Sequence, residues 1–112
     1  VMKKWQCSVC GYIHDGEQAP AACPKCGAPR EKFNEVPAEK SALIDRSRKT
    51  NQIYMEISAL LEQVKELAEI GRDDELDPAC VALFKKAIGS AVELQQAIKA
   101  ELATHMGKGK WG

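Results

Sequence analysis

The sequence predicts a small α+β protein: a cysteine-rich, metal-held module followed by a long antiparallel α-helical hairpin. Three observations predict it. Residues 7–27, CSVCGYIHDGEQAPAACPKCG, carry four cysteines in two Cys-x-x-Cys pairs. Near Val36-Pro37 the composition shifts from cysteine- and proline-rich to rich in Ala, Leu, Glu, Lys and Gln. Beyond that point two apolar patterns of helical spacing flank the polar turn RDDELD.

Charge and length narrow the class. The 112 residues hold 16 basic and 16 acidic side chains, so the chain has no electrostatic reason to seek nucleic acid or an anionic membrane. No apolar run approaches the ~20 residues of a membrane span. The opening VMKKWQ lacks the apolar stretch of a secretory signal, and a cytoplasmic protein is expected. Four of the five cysteines fall within residues 7–26, with Cys80 far downstream. An odd count without a signal argues for a metal cage over a disulfide framework.

In the first module, residues 1–36, each Cys-x-x-Cys turn points two sulfurs to one side of a tight loop. Two such knuckles supply a tetrahedron of soft thiolates, which suits iron or zinc. The expected metal ligands are therefore Cys7, Cys10, Cys23 and Cys26. Gly11 and Gly27 follow the two pairs and allow the positive φ that curls backbone N–H groups towards sulfur. His14 reads as a solvated loop residue.

The stretch WQCSVCGYIHDGEQAPAACPKCGAPREKF resembles a rubredoxin domain, in the short-spaced version found as the tail of rubrerythrins. The likeness covers about residues 3–35. It rests on Trp5 before the first cysteine, Cys10-Gly11-Tyr12, Asp15-Gly16, Ala19-Pro20, the run from Cys23 to Pro29, and Phe33. It implies one iron per chain, cycling between Fe3+ and Fe2+ on the four cysteines, with zinc as the substitute. It also implies a three-stranded sheet with Trp5, Tyr12 and Phe33 in its core. Rubrerythrins pair this module with a di-iron helical bundle built on Glu-x-x-His motifs. No such motif occurs in 38–112: His105 is the lone histidine there, at an end expected to fray, with Glu101 four positions before it. Peroxidase activity is therefore not carried over, and no catalytic residue is assigned.

Pro37 opens the hairpin region, 37–107, because proline suits a helix start. The first helix is expected over about 39–70, with Ile53, Ile57, Leu60, Val64 and Leu67 as a seam of heptad spacing and Gly71 as its stop. The polar run DRSRKTNQ at 45–52 leaves open a break near 47–50. Arg46, Arg48 and Lys49 read as a solvated helix face. Asp77-Pro78 is an N-cap followed by proline at the first helical position. The second helix is expected over about 78–105, with Cys80, Phe84, Ala87 or Ile88, Ala91, Leu94, Ile98 and Leu102 as its apolar stripe. Cys80 reads as a small apolar residue. Residues 108–112 are expected to form a flexible tail. Two amphipathic helices leave apolar flank exposed, so a homodimer through the hairpin, a four-helix bundle, is expected.

Two functions from different classes share the four ligands. The first is a small electron carrier serving redox partner proteins, taking electrons from a reductase donor for a peroxide- or oxygen-reducing acceptor. The second is a structural zinc ribbon with a helical interaction module. The Trp5, Tyr12 and Phe33 context favours the carrier. The five basic and four acidic residues of 1–36 do not, since rubredoxins resemble one another in being acidic.

Overall fold

The computed structural model describes residues 2–112; Val1, the first position of the expected 1–36 module, lies outside the described residues. Three strands come first: β1 (Lys4–Cys7), β2 (Ile13–Asp15) and β3 (Phe33–Glu35). They form one antiparallel sheet in the order β2-β1-β3. A single 3-10 turn, Arg30–Lys32, leads into β3. Two long helices follow, α1 (Ala38–Asp74) and α2 (Pro78–Gly107). The α+β architecture of a cysteine-bearing sheet followed by a helical hairpin is thus the fold found. Among the described residues no helix is long and apolar enough to cross a membrane.

The chain divides into two compact units: residues 2–48 together with Lys108–Gly112, and Lys49–Gly107. The division falls inside α1, which runs unbroken through residues 47–50. The first unit therefore takes in the first turns of α1 as well as the closing residues read from sequence as a flexible tail.

Within the first unit the register pairs Trp5 with His14 and Glu35, and Cys7 with Phe33. His14 is thus a strand residue, where the sequence suggested a loop. Cys7, Ala19, Cys23 and Phe33 form the buried core, with Trp5, Tyr12 and Ala28 packed against it. The Trp5 indole donates to the Gly16 carbonyl at 3.0 Å, which satisfies its N–H.

The polar run in α1 has a structural use that its composition hid. Lys4 is 1% exposed, and its Nζ lies 2.7 Å from Asp45 Oδ1 and 3.9 Å from Asp15 Oδ1. Arg48, expected on a solvated face, grips both oxygens of Asp15 and donates through Nε to the Gly112 carbonyl at 2.9 Å. The Arg48 guanidinium holds the Asp15 carboxyl below its ordinary value. Ser41, Ile44 and Ser47 line the buried side of this segment, and Ser47 Oγ donates back to the Leu43 carbonyl at 2.8 Å. Short polar side chains suit such a face because they allow close approach and leave room for the charge network.

In the second unit the two helices run antiparallel. Asn51 meets His105, Ser58 and Glu62 meet Gln95, and Gly71 meets Phe84. The Gln95 amide donates to the Ser58 carbonyl at 3.1 Å and to Glu62 Oε2 at 3.0 Å. On α2 the expected stripe faces inward at Ala91 and Ile98, both buried, while Leu94 yields its place to Gln95 and is exposed. On α1 the expected seam is inverted. Ile53, Ile57, Leu60, Val64 and Leu67 are all exposed, and the face towards α2 carries Asn51, Tyr54, Ser58, Leu61, Lys65 and Ala68. Hydrophobic spacing alone chose the wrong face because the inward face is filled by small and hydrogen-bonding residues. His105, expected at a frayed end, is buried between Asn51 and Glu101.

Gly71 was expected to end α1, yet the helix continues to Asp74 and ends at Glu75, which takes a positive φ of 52°. Glycine is needed at 71 for another reason. A Cβ there would stand 2.5 and 2.6 Å from Cε1 and Cε2 of the Phe84 ring. Asp77 accepts from the Cys80 N–H at 2.7 Å and caps α2 as expected.

Two stability predictions follow from these contacts. Gly71→Ala should destabilise by about 1–3 kcal/mol through overpacking, although alanine is the better helix former by ~1 kcal/mol. Adding Phe84→Leu should restore part of the loss in thermal melts. Asp45→Ala should cost about 2 kcal/mol or more by stripping the buried Lys4 ammonium of its nearer carboxylate, and Lys4→Met should cost less. A carboxyl held down by folding stabilises above its unfolded pKa of about 3.9 and loses that contribution as pH falls through the lower folded value. In denaturant titrations the Asp15–Arg48 contribution should therefore be full at neutral pH, worth ~1 kcal/mol or less for so exposed a pair, and absent in strong acid.

Candidate metal centre

Both cysteine pairs are built by the same local geometry. The Cys7 N–H donates to the Tyr12 carbonyl at 2.9 Å, and the Cys7 carbonyl accepts from the Gly11 N–H at 2.9 Å. The second knuckle repeats this with Cys23: its N–H donates to Ala28 at 2.8 Å, and its carbonyl accepts from Gly27 at 2.9 Å. Gly11 and Gly27 close the turns with φ of 83° and 78°, values that only glycine adopts freely. A bridge between Ala22 and Pro29 holds the second knuckle, and the β1 register with β2 holds the first.

The two knuckles bring Cys7, Cys10, Cys23 and Cys26 together with all four sulfurs within 4.8 Å of one another. Two edges are measured, Cys7–Cys26 at 3.6 Å and Cys10–Cys23 at 3.5 Å. A tetrahedral site with metal–sulfur bonds of ~2.3 Å has sulfur–sulfur edges of about 3.8 Å. The donor set and its spacing therefore fit a tetrahedral thiolate centre. All five cysteines are free of disulfides. Among the described residues no other group of three or more His, Cys, Asp or Glu is placed to share an ion.

Backbone amides tune the sulfurs. At Cys7, burial opposes ionisation but is outweighed by the N–H groups of Cys10 and Val9, so the thiol is lowered. At Cys23 burial is again outweighed, by the N–H groups of Cys26 and Lys25, and the thiol falls to about 6. Cys26 accepts from the Ala28 N–H, but burial and the three neighbouring thiols push it up to about 12. Four thiolates this close repel one another unless a cation sits among them. The site is also asymmetric: Cys7 and Cys23 are buried, Cys10 is half-buried and Cys26 is exposed.

Sequence reasoning named all four cysteines of this cluster. It missed the network that joins Lys4 and Asp15 of the sheet to Asp45 and Arg48 of α1; on α1 the signal, charges among small polar residues at helical spacing, also describes the ordinary solvated face on which Arg48 was expected. Cys80 lies apart and half-buried, and the Asp77 carboxylate raises its thiol, so the helix N-terminus does not activate it.

Residues 5–34 match the family model for the rubredoxin-like domain of rubrerythrin. Over 47 residues the chain is 51% identical to Reverse rubrerythrin-1 of Clostridium acetobutylicum, an alignment covering 42% of this chain and 26% of that protein. Over 30 residues it is 50% identical to Rubrerythrin of Nitratidesulfovibrio vulgaris, covering 27% of this chain and 16% of that one. The matched segments thus span about a quarter or less of the length of these curated relatives. No solved structure matches the chain. Residues 5–34 form a rubredoxin-like domain of the rubrerythrin type, followed by a helical region; the four cysteines are positioned in it for metal binding.

Replacing any one of Cys7, Cys10, Cys23 or Cys26 with serine should lower metal affinity at least tenfold, equal to about 1.4 kcal/mol. Cys80→Ala should leave metal content unchanged. Elemental analysis of the purified variants checks both outcomes.

Proposed function

We propose that the chain is a single-electron carrier, with one iron held by Cys7, Cys10, Cys23 and Cys26. Iron bound there supplies a one-electron couple between Fe3+ and Fe2+. The observation that carries this reading is the tetrahedral spacing of four thiols inside a segment that matches a rubredoxin-like domain.

The chain's own residues fit that work. Four cysteine ligands complete a tetrahedron, so no position is left for a substrate, and the centre itself is non-enzymatic. The N–H groups of Val9, Cys10, Lys25, Cys26 and Ala28 stabilise negative charge on the sulfurs, and such second-shell bonds tune a metal site. Exposed Cys26, half-buried Cys10 and Val9, 63% exposed, offer a short, partly apolar path from sulfur to a docking surface. Burial of Cys7 and Cys23 closes the opposite side. The redox partners of this reading are a reductase as donor and a peroxide- or oxygen-reducing protein as acceptor. The compartment is the cytoplasm, whose reducing conditions keep the thiols available to metal.

Visible absorption of protein from iron-replete cells, with metal content measured alongside, tests the proposal. One iron per chain and a colour that bleaches with dithionite and returns with air is the expected result. A colourless protein holding one zinc from the same cells would overturn it in favour of a structural zinc ribbon.

A further inference from the structure

The hairpin keeps its best apolar stripe for something other than itself. Ile53, Ile57, Leu60, Val64 and Leu67 are spaced by alternating steps of four and three, yet they range from 37% to 68% exposed. Two side chains of α2 extend the surface. Leu83 and Leu94 are three turns apart, beside the inward positions Ala87 and Ala91, and both are exposed. Helical spacing puts them on the same side of the hairpin as the α1 stripe. The opposite side is mixed: Glu62, Lys65, Gln96 and Lys99 line a cleft there together with the exposed Met55 and Val92.

We propose that this face packs against the same face of a second copy, so that two hairpins form a four-helix bundle around a two-fold axis. Area argues for it. The seven side chains leave roughly 700 Å² in water, more than the ~300–600 Å² of the largest patch on a typical monomer and close to the ~800 Å² each partner gives to a stable interface. Spacing argues for it too. Steps of four and three keep a stripe aligned with a neighbouring helix crossed at ~20°, the packing of four-helix bundles. None of the seven side chains is charged, so nothing in the stripe selects an anionic lipid surface, which amphipathic helices reach with lysine and arginine. A face this apolar calls for permanent cover by a partner present in equal amount, which a second copy always is.

Sedimentation equilibrium of the full, metal-loaded chain tests this. The expected mass is twice the 12.3 kDa of one chain. Leu60→Glu with Leu67→Glu should return the single-chain mass while helix content and metal stoichiometry are kept, and Gln96→Glu on the opposite side should leave the dimer intact. Should the double variant lose its helices, Leu67→Lys alone should still raise the dissociation constant at least tenfold. A wild-type protein that sediments as a single chain overturns the proposal, as does a folded double variant that remains a dimer. A single chain that pellets with anionic phospholipid vesicles overturns it in favour of a lipid surface.

Discussion

Four sulfur atoms within 4.8 Å of one another set the terms for the first unit of this chain. Its cysteine cluster contains two of the four residues of a small buried core, Cys7, Ala19, Cys23 and Phe33, and Val36 and Ile44 are the unit's other buried hydrophobics. A core this slight suits a domain that draws stability from a bound metal. The sheet has the same origin: β1 delivers Cys7, the turn after Cys10 folds β2 back onto it, and β3 returns Phe33 beside Cys7. Gly11 and Gly27 close the two knuckles at positive φ, which brings the sulfurs together.

A second constraint is the buried ammonium of Lys4. A charge removed from water needs a partner, and Asp45 of α1 supplies it at 2.7 Å. Asp15 and Arg48 extend the pair into a network that reaches Gly112. These contacts explain why the first turns of α1 and the closing residues belong with the metal module. They also explain why 45–52 is polar without being a loop: it remains helical and buries Ser47 and Asn51.

What the sequence made legible follows from how local each signal is. The knuckles were readable because Cys-x-x-Cys-Gly fixes ligand, turn and amide direction within five residues. The Asp77-Pro78 start of α2 was readable for the same reason. The inward face of α1 was not, because Ser58, Lys65 and Asn51 resemble surface residues until Gln95 and His105 are placed opposite them. Gly71 looked like a helix stop because glycine commonly is one, and only the Phe84 ring reveals its use. Arg48 and Lys4 lie far apart in sequence, and no local pattern joins them through Asp15 and Asp45.

The central claim is that four thiolates, and nothing else, hold a metal that changes charge without changing its ligands. X-ray absorption at the iron edge, on protein from iron-replete cells before and after reduction, tests it most directly. Four sulfur neighbours and no oxygen or nitrogen neighbour in both oxidation states is the predicted result. A lighter-atom ligand in either state, or loss of a sulfur on reduction, would contradict the account.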